Sequence, residues 1–291
     1  MIRVGLCAGF GASLRHEFAG IASYGFGTIR QDLYAGGDPA AVPALVAECA
    51  GAPCQMVFLI GGGSIMRPDG NRIEPHELAA WTTAVIQAAT AAGVTGYALE
   101  IGNEPDIACA GYAEHPEDFS EAIRQCYDAA RVAGFQGPLI TGGISNLNRR
   151  GLRYLTAMLA AEELPGSDLV IGFHRYPEGG RGPLAPHDGF ASREDEWRAL
   201  RTIVGRLQPL ACTELGYHTA PSNPVTLSDA DVAEAVLWDL AFYEDRGVPL
   251  AVVYQLNDGP TETWIDRYGV RTTDGTWKVV ADRIRETYGE G

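Results

Sequence analysis

Apolar runs of β character and stretches of helical periodicity alternate from one end of the chain to the other. This rhythm limits the fold more than any single motif. RVGLCAG (3–9), GTIRQD (27–32), QMVFLI (55–60), GYALEIG (96–102), PLITGG (138–143), DLVIGFH (168–174), PLACTE (209–214) and PLAVVYQL (249–256) read as strands. Residues 12–24, 39–51, 74–92, 117–133, 150–162, 192–206, 228–246 and 277–288 read as helices. Pro116 and Glu117 open the fourth helix, and Ser192 and Ser228 are placed to cap the sixth and seventh. Strand and helix in strict alternation imply a parallel sheet. Eight such pairs in 291 residues have the count and size of a (β/α)8 barrel. A doubly wound open sheet is the competing arrangement, and it usually carries a glycine-rich phosphate turn after its first strand. Here the glycines at 5, 9 and 11 do not fit G-x-G-x-x-G, and no acidic ribose ligand ends the second strand in the expected way. The expectation is an α/β chain forming one (β/α)8 TIM-barrel domain over residues 1–291.

Composition narrows the partners. With 46% hydrophobic residues the chain can bury a large core. Its 22 Lys and Arg stand against 37 Asp and Glu, a net charge of −15, and no basic cluster offers nucleic acid a face. The acidic balance also disfavours polyanionic substrates. The start, MIRVGLCAGFGASLRHEF, has no basic region followed by a long apolar run, so no signal peptide is expected and the compartment leans to the cytoplasm. No apolar stretch reaches the ~18 residues of a transmembrane helix, so no membrane partner is expected. Cys7, Cys49, Cys54, Cys109, Cys126 and Cys212 form no CxxC pair or zinc spacing. They are expected to be reduced, with a local Cys49–Cys54 bridge left open. His16, His76 and His115 show no metal-ligand spacing either. Neither a catalytic metal nor a cofactor is expected.

Segments before strands are short, whereas 61–73, 103–116, 175–191, 215–227 and 257–276 are long and rich in Gly, Pro and polar residues. In a barrel these follow the strands and build the C-terminal face, where active sites sit. LEIGNEPD (99–106) ends the fourth strand in Glu104, and PLACTELGYH ends the seventh in Glu214. Two carboxylates at one rim are the equipment for cleaving a glycosidic bond, one delivering a proton and one attacking the anomeric carbon. Their surroundings must separate the two pKa values. Period-two alternation puts Glu104 on a face with Gly102, Glu100 and Ala98, and Glu214 on a face with Cys212 and Leu210. FHRYP places His174 and Tyr176 on one face, strand 2 brings Arg30, and strand 8 offers Tyr254, Gln255, Asn257 and Asp258. Glu100 points inward one layer below Glu104, and a buried carboxylate requires a partner. A structural ion pair with Arg30 is expected.

IRQD on strand 2, GNEP on strand 4, HRY on strand 6 and TELG on strand 7, with the tail GVRTTDGTWKVV, resemble the clan A glycoside hydrolases. These are the 4/7 superfamily of retaining (β/α)8 enzymes, including family 5 and family 39-like barrels. The resemblance runs over nearly the whole chain in order. It implies a retaining β-glycosidase acting on a β-linked oligo- or polysaccharide, with Glu104 as acid/base and Glu214 as nucleophile. It further implies Asn103 on the sugar 2-hydroxyl, Tyr176 donating to Glu214, Arg30 holding Glu214 anionic, and His174 binding substrate or tuning the acid/base. Two departures touch substrate binding: Gly61-Gly62-Gly63 stands where relatives often have a His after strand 3, and Gln255 where many have a Trp ending strand 8. Asn257 and Trp264 are further substrate-binding candidates, and His187 and His218 lie in rim loops. Trp81, Trp197 and Trp238 lie on helices and are expected to pack. A non-hydrolytic carbohydrate-binding barrel and a transglycosidase using the same site are the alternatives.

Overall fold

The computed structural model describes residues 1–10, 15–33, 41–61, 72–107, 111–161, 164, 168–177, 182–220, 227–261 and 263–289. Eight parallel strands close a barrel in sequence order: β1 (Arg3–Phe10), β2 (Thr28–Asp32), β3 (Gln55–Ile60), β4 (Ala98–Ile101), β5 (Leu139–Thr141), β6 (Leu169–Arg175), β7 (Leu210–Leu215) and β8 (Leu250–Val253). They alternate with α1 (Phe18–Ser23), α2 (Val42–Glu48), α3 (Pro75–Ala92), α4 (Pro116–Val132), α5 (Arg149–Ala161), α6 (Arg193–Val204), α7 (Asp229–Glu244) and α8 (Val279–Tyr288). The (β/α)8 barrel is therefore as expected.

Local chemistry sets the element ends. Pro116 occupies the first turn of α4, where its missing N–H is not needed. Ser192 accepts from the Asp195 amide, and Ser228 with Asp231 forms a reciprocal capping box. Two expectations shrink. The described part of the first helix is Phe18–Ser23, residues 11–14 lying outside the described ones. The eighth strand stops at Val253, because residues 255–257 pair with 268–271 instead: Gln255 N–H donates to the Tyr268 carbonyl, and Val270 N–H to that of Gln255. Cys7, Cys49, Cys54, Cys126 and Cys212 are buried, and Cys49 and Cys54 are separate thiols with no bridge between them; Cys109 lies outside the described residues.

The main core lies between strands and helices and includes Leu6, Ile29, Phe58, Leu99, Phe119, Ile171 and Phe173. A smaller inner core of Val57, Ala98, Ile140 and Ala211 fills the base of the barrel. Trp81 is buried, and Trp197 and Trp238 pack against the main core. Above the inner core the barrel interior turns ionic, and that change positions the site.

Candidate active site

Arg30 is the hub of the ionic layer. Only 2% exposed, it donates Nε–H to Glu100 Oε2 at 2.5 Å, Nη1–H to Glu214 Oε1 at 2.7 Å and Nη2–H to Asn103 Oδ1 at 2.7 Å. Glu100 and Glu214 are thus both partners of one guanidinium, through its planar fork. Because Arg30 holds the Asn103 oxygen, the Asn103 NH2 group is the end left for a ligand.

Glu214 reaches this layer through an irregularity that alternation does not foresee. In the β6–β7 ladder Phe173 pairs with Cys212 but His174 pairs with Glu214, so Thr213 is an extra residue. Ala211 belongs to the inner core, whereas Leu210 and Cys212 belong to the outer one. Cys212 lies beside Asp239 and Tyr243 of α7, and burial there pushes its thiol well up. The expected sharing of a face by Glu214, Cys212 and Leu210 is therefore corrected. The bulge turns Glu214 inward although Cys212 faces out.

Glu104 is aimed by its backbone. Its φ of +46° lies in the left-handed region, uncommon outside glycine, and its N–H donates to the Gly143 carbonyl at 3.0 Å. Its neighbour Asp106 anchors the loop, accepting from the Ser145 amide at 2.7 Å and the Ser145 hydroxyl at 2.6 Å. Such strain persists only where surrounding contacts hold it.

His174 stands between the two carboxylates. Its Nδ1 lies 3.1 Å from Glu104 Oε1 and 3.6 Å from Glu214 Oε2. One oxygen from each carboxylate and a His174 nitrogen all fall within 4.8 Å of one another. Burial lowers the imidazole pKa, but the Glu214 charge and the Glu104 hydrogen bond outweigh it and raise it above the ordinary histidine range. His174 Nε2 and Thr213 Oγ1 are buried with no hydrogen-bond partner among the described residues. A Cβ on Gly143 would come within 2.4 Å of the His174 ring, so this glycine makes the room for the imidazole.

Tyr176 donates its hydroxyl to Glu214 Oε2 at 2.5 Å. Burial and the Glu214 charge push that hydroxyl well up, so it stays a donor. Burial raises the Glu214 carboxyl, but the charges of His174 and Arg30 and the bonds from Tyr176 and Arg30 outweigh it and hold it below the usual carboxylate range. The arrangement keeps Glu214 ionised and leaves Glu104, with 23% of its side chain exposed against 8% for Glu214, facing the mouth.

Glu104, Glu214, Asn103, Arg30, His174 and Tyr176 are thus gathered as expected. The strand 8 candidates divide differently. Tyr254, not Gln255, approaches the pair: after burial, the Glu214, Cys7 and Glu104 charges raise its hydroxyl, and its ring packs edge-on to Tyr176 at 6.0 Å. Gln255 makes only backbone hydrogen bonds among the described residues. Asn257 is exposed and accepts from Arg271 Nε at 2.8 Å, and Asp258 is buried against Lys278 at 2.7 Å; both serve the loop rather than the mouth. Trp264 starts a short 3-10 helix, Trp264–Asp266, and its side chain lies outside the described residues, as do Gly62 and Gly63.

Two contributors had no sequence signal. Tyr268 packs edge-on to Tyr176 at 5.4 Å. Asn146 donates to the Tyr176 carbonyl at 3.0 Å. His187, expected in a rim loop, is buried with Nε2 3.1 Å from that same carbonyl and Nδ1 2.9 Å from Glu196 Oε2. Burial raises the Glu196 carboxyl, but the His187 bond and the Arg193 charge bring it down to about 2. Arg193 in turn holds Asp239 at 3.1 Å, and Asp239 accepts from Tyr217 at 2.5 Å. This network braces the ends of β6 and β7 from outside. His218 is also buried, its ring 5.5 Å from Tyr268.

Glu104, His174 and Glu214 have donor atoms close enough to surround a cation, but Arg30 already places a guanidinium on Glu214 and His174 Nδ1–H bridges the pair. The residues present fit a proton-transfer site better than a metal site. His115, Glu117 and Asp118 also come together, contrary to the expectation from spacing; they are largely exposed and Asp118 already pairs with Arg72 at 2.5 Å.

The sequence matches no protein-family model and no curated protein. Its fold has many solved counterparts. A family 39 glycoside hydrolase from Bacteroides cellulosilyticus WH2 superposes with a TM-score of 0.70 at 16% identity, over 99% of this chain and 63% of that one. A β-mannanase from Thermomonospora fusca gives 0.65 at 15%, over 100% and 89%. A family 17 β-1,3-glucanosyltransferase from Rhizomucor miehei gives 0.61 at 13%, over 96% and 96%. The chain spans less than two thirds of the family 39 enzyme, and at these identities the likeness establishes the barrel fold.

Proposed function

We propose that the chain is a retaining β-glycosidase of the clan A type, acting on a β-linked carbohydrate by double displacement. The observation that carries this is the pair itself: oxygens of Glu104 and Glu214 within 4.8 Å of each other. That suits the ~5–5.5 Å spacing of retaining enzymes better than the ~6.5–9.5 Å at which inverting enzymes hold their carboxyls around a water. Glu214, ionised by Arg30, His174 and Tyr176, attacks the anomeric carbon. Glu104 delivers a proton to the leaving oxygen. In the second step Glu104 takes a proton from water, which attacks the glycosyl-enzyme and releases Glu214. The freed NH2 of Asn103 is placed to donate to the sugar, and the Tyr176–Tyr254–Tyr268 group offers ring edges and faces beside it.

The test is nitrophenol release from a panel of aryl β-glycosides (glucose, galactose, mannose, xylose, glucuronate, cellobiose). Glu214→Ala is expected to lose turnover and to regain it with azide, giving the glycosyl azide of inverted configuration. Glu104→Ala is expected to keep a burst on nitrophenyl substrates, whose leaving group needs little protonation. Sugar binding without turnover, unchanged in both variants, would instead make the chain a carbohydrate-binding barrel. Product longer than substrate would make it a transglycosidase, the class of the Rhizomucor miehei β-1,3-glucanosyltransferase.

A further inference from the structure

The α6 and α7 helices carry a basic groove on the far side of the barrel from the mouth. It encloses about 710 Å³ and is lined by Trp197, Arg198, Arg201, Arg206 and Arg246 among others. A cluster of guanidinia is unusual in a chain of net charge −15.

An internal comparison shows what it lacks. Arg131, in the last turn of α4, lies over the Tyr127 ring at 4.5 Å and donates Nη1–H to the Phe135 carbonyl at 2.7 Å. Its Nη2–H reaches Asp168, the residue directly before β6, at 2.6 Å. Arg201 repeats this in α6. It lies over the Trp197 ring at 5.2 Å and donates Nη1–H to the Gln208 carbonyl at 2.8 Å. The counterpart of Asp168, the residue directly before β8, is Pro249. Arg201 therefore has no carboxylate, and its Nη2 and Nε have no partner among the described residues. Burial without a counter-charge lowers its pKa, whereas that of Arg131 is raised: burial opposes the rise, but Tyr127 and Asp168 outweigh it.

The remaining charges make the same count. Arg198 pairs with Asp195 at 2.7 Å and Arg246 with Glu194, while exposed Arg206 has no described partner. Four guanidinia face two carboxylates, a surplus of two positive charges. We propose that this groove binds an oxyanion of the phosphate class, its oxygens taking the position at Arg201 that Asp168 takes at Arg131. A phosphate group carries a charge of about −2 near neutral pH, which closes the balance, and guanidinium forks match its oxygens. The site is separate from the carboxylate pair and does not depend on the glycosidase reading.

The experiment is calorimetric titration of the full chain with inorganic phosphate, methyl phosphate and glucuronate, for the wild type, R206Q, R201Q and P249D. Arg206 has no partner to lose, so R206Q tests the site without disturbing the fold. Phosphate is expected to bind one to one and about tenfold or more weaker in R206Q and R201Q, as the loss of one charge-assisted contact implies. P249D, which supplies the missing carboxylate, is expected to abolish binding. Equal affinity for phosphate and methyl phosphate assigns recognition to the free anion, and tighter binding of the ester to a phosphorylated ligand. No saturable binding below about 10 mM, unchanged affinity in R206Q and R201Q, or tighter binding of glucuronate than of phosphate overturns the proposal.

Discussion

Replacing Tyr176 by Phe removes one oxygen and leaves the ring, so it isolates the 2.5 Å bond to Glu214. A hydrogen bond to a charged group contributes about 1.5–3 kcal/mol, and one pKa unit is about 1.4 kcal/mol. Losing the bond should raise the Glu214 pKa by about one to two units. The sign follows from its depressed value: the carboxylate is the stabilised form, so a lost donor moves the acid limb of kcat/KM to higher pH. The same change makes Glu214 a poorer leaving group in the second step. The glycosyl-enzyme should accumulate, with a nitrophenol burst and kcat lowered about 10- to 100-fold. The assay is a pH profile of kcat/KM on the best aryl glycoside, with pre-steady-state release of nitrophenol. An acid limb unmoved in Y176F, with the protein still folded, would refute the argument that this hydroxyl holds Glu214 ionised.

Other perturbations follow from the same geometry. G143A should drive a Cβ into the His174 ring, costing about 1–3 kcal/mol of stability and most of the activity; denaturant unfolding beside turnover checks both. E100A should strip Arg30 of a buried partner and cost about 3–5 kcal/mol, seen as a lower denaturation midpoint, whereas a fall in activity with no loss of stability would make Glu100 a reacting group. Because the pKa of His174 is raised, its contribution to stability is complete below about pH 6.5 and fades as pH rises through the higher folded value. Nitrogen NMR should show His174 losing its ring proton at a higher pH than an ordinary histidine, and a titration at or below the ordinary range would contradict the bridging role.

The barrel was legible because each strand–helix unit carries its own periodicity and several helices carry explicit caps, as at Ser192 and Ser228. Glu104 and Glu214 were legible because each ends an apolar run in a short motif. Face assignment failed where the chain leaves ideal geometry. The extra residue at Thr213 reverses the parity of β7, and strand 8 leaves the ladder at Val253, so Tyr254 rather than Gln255 meets the pair. The brace of His187, Glu196, Arg193 and Asp239 ties the loop after β6 to α6 and α7 across long stretches of chain. No local pattern announces such a contact.

The extra residue in β7 also sets what lineage and laboratory alike can do with this strand. Deleting Thr213 would mend the ladder, and by ordinary measures of strand regularity the result would look improved. It would also leave Glu214 facing Arg30 and Tyr176, because alternation from the outward Cys212 then brings Glu214 inward, opposite His174. The danger lies in a redesign that regularises the ladder but retains Thr213: every residue beyond it would change face, and Glu214 would leave the mouth.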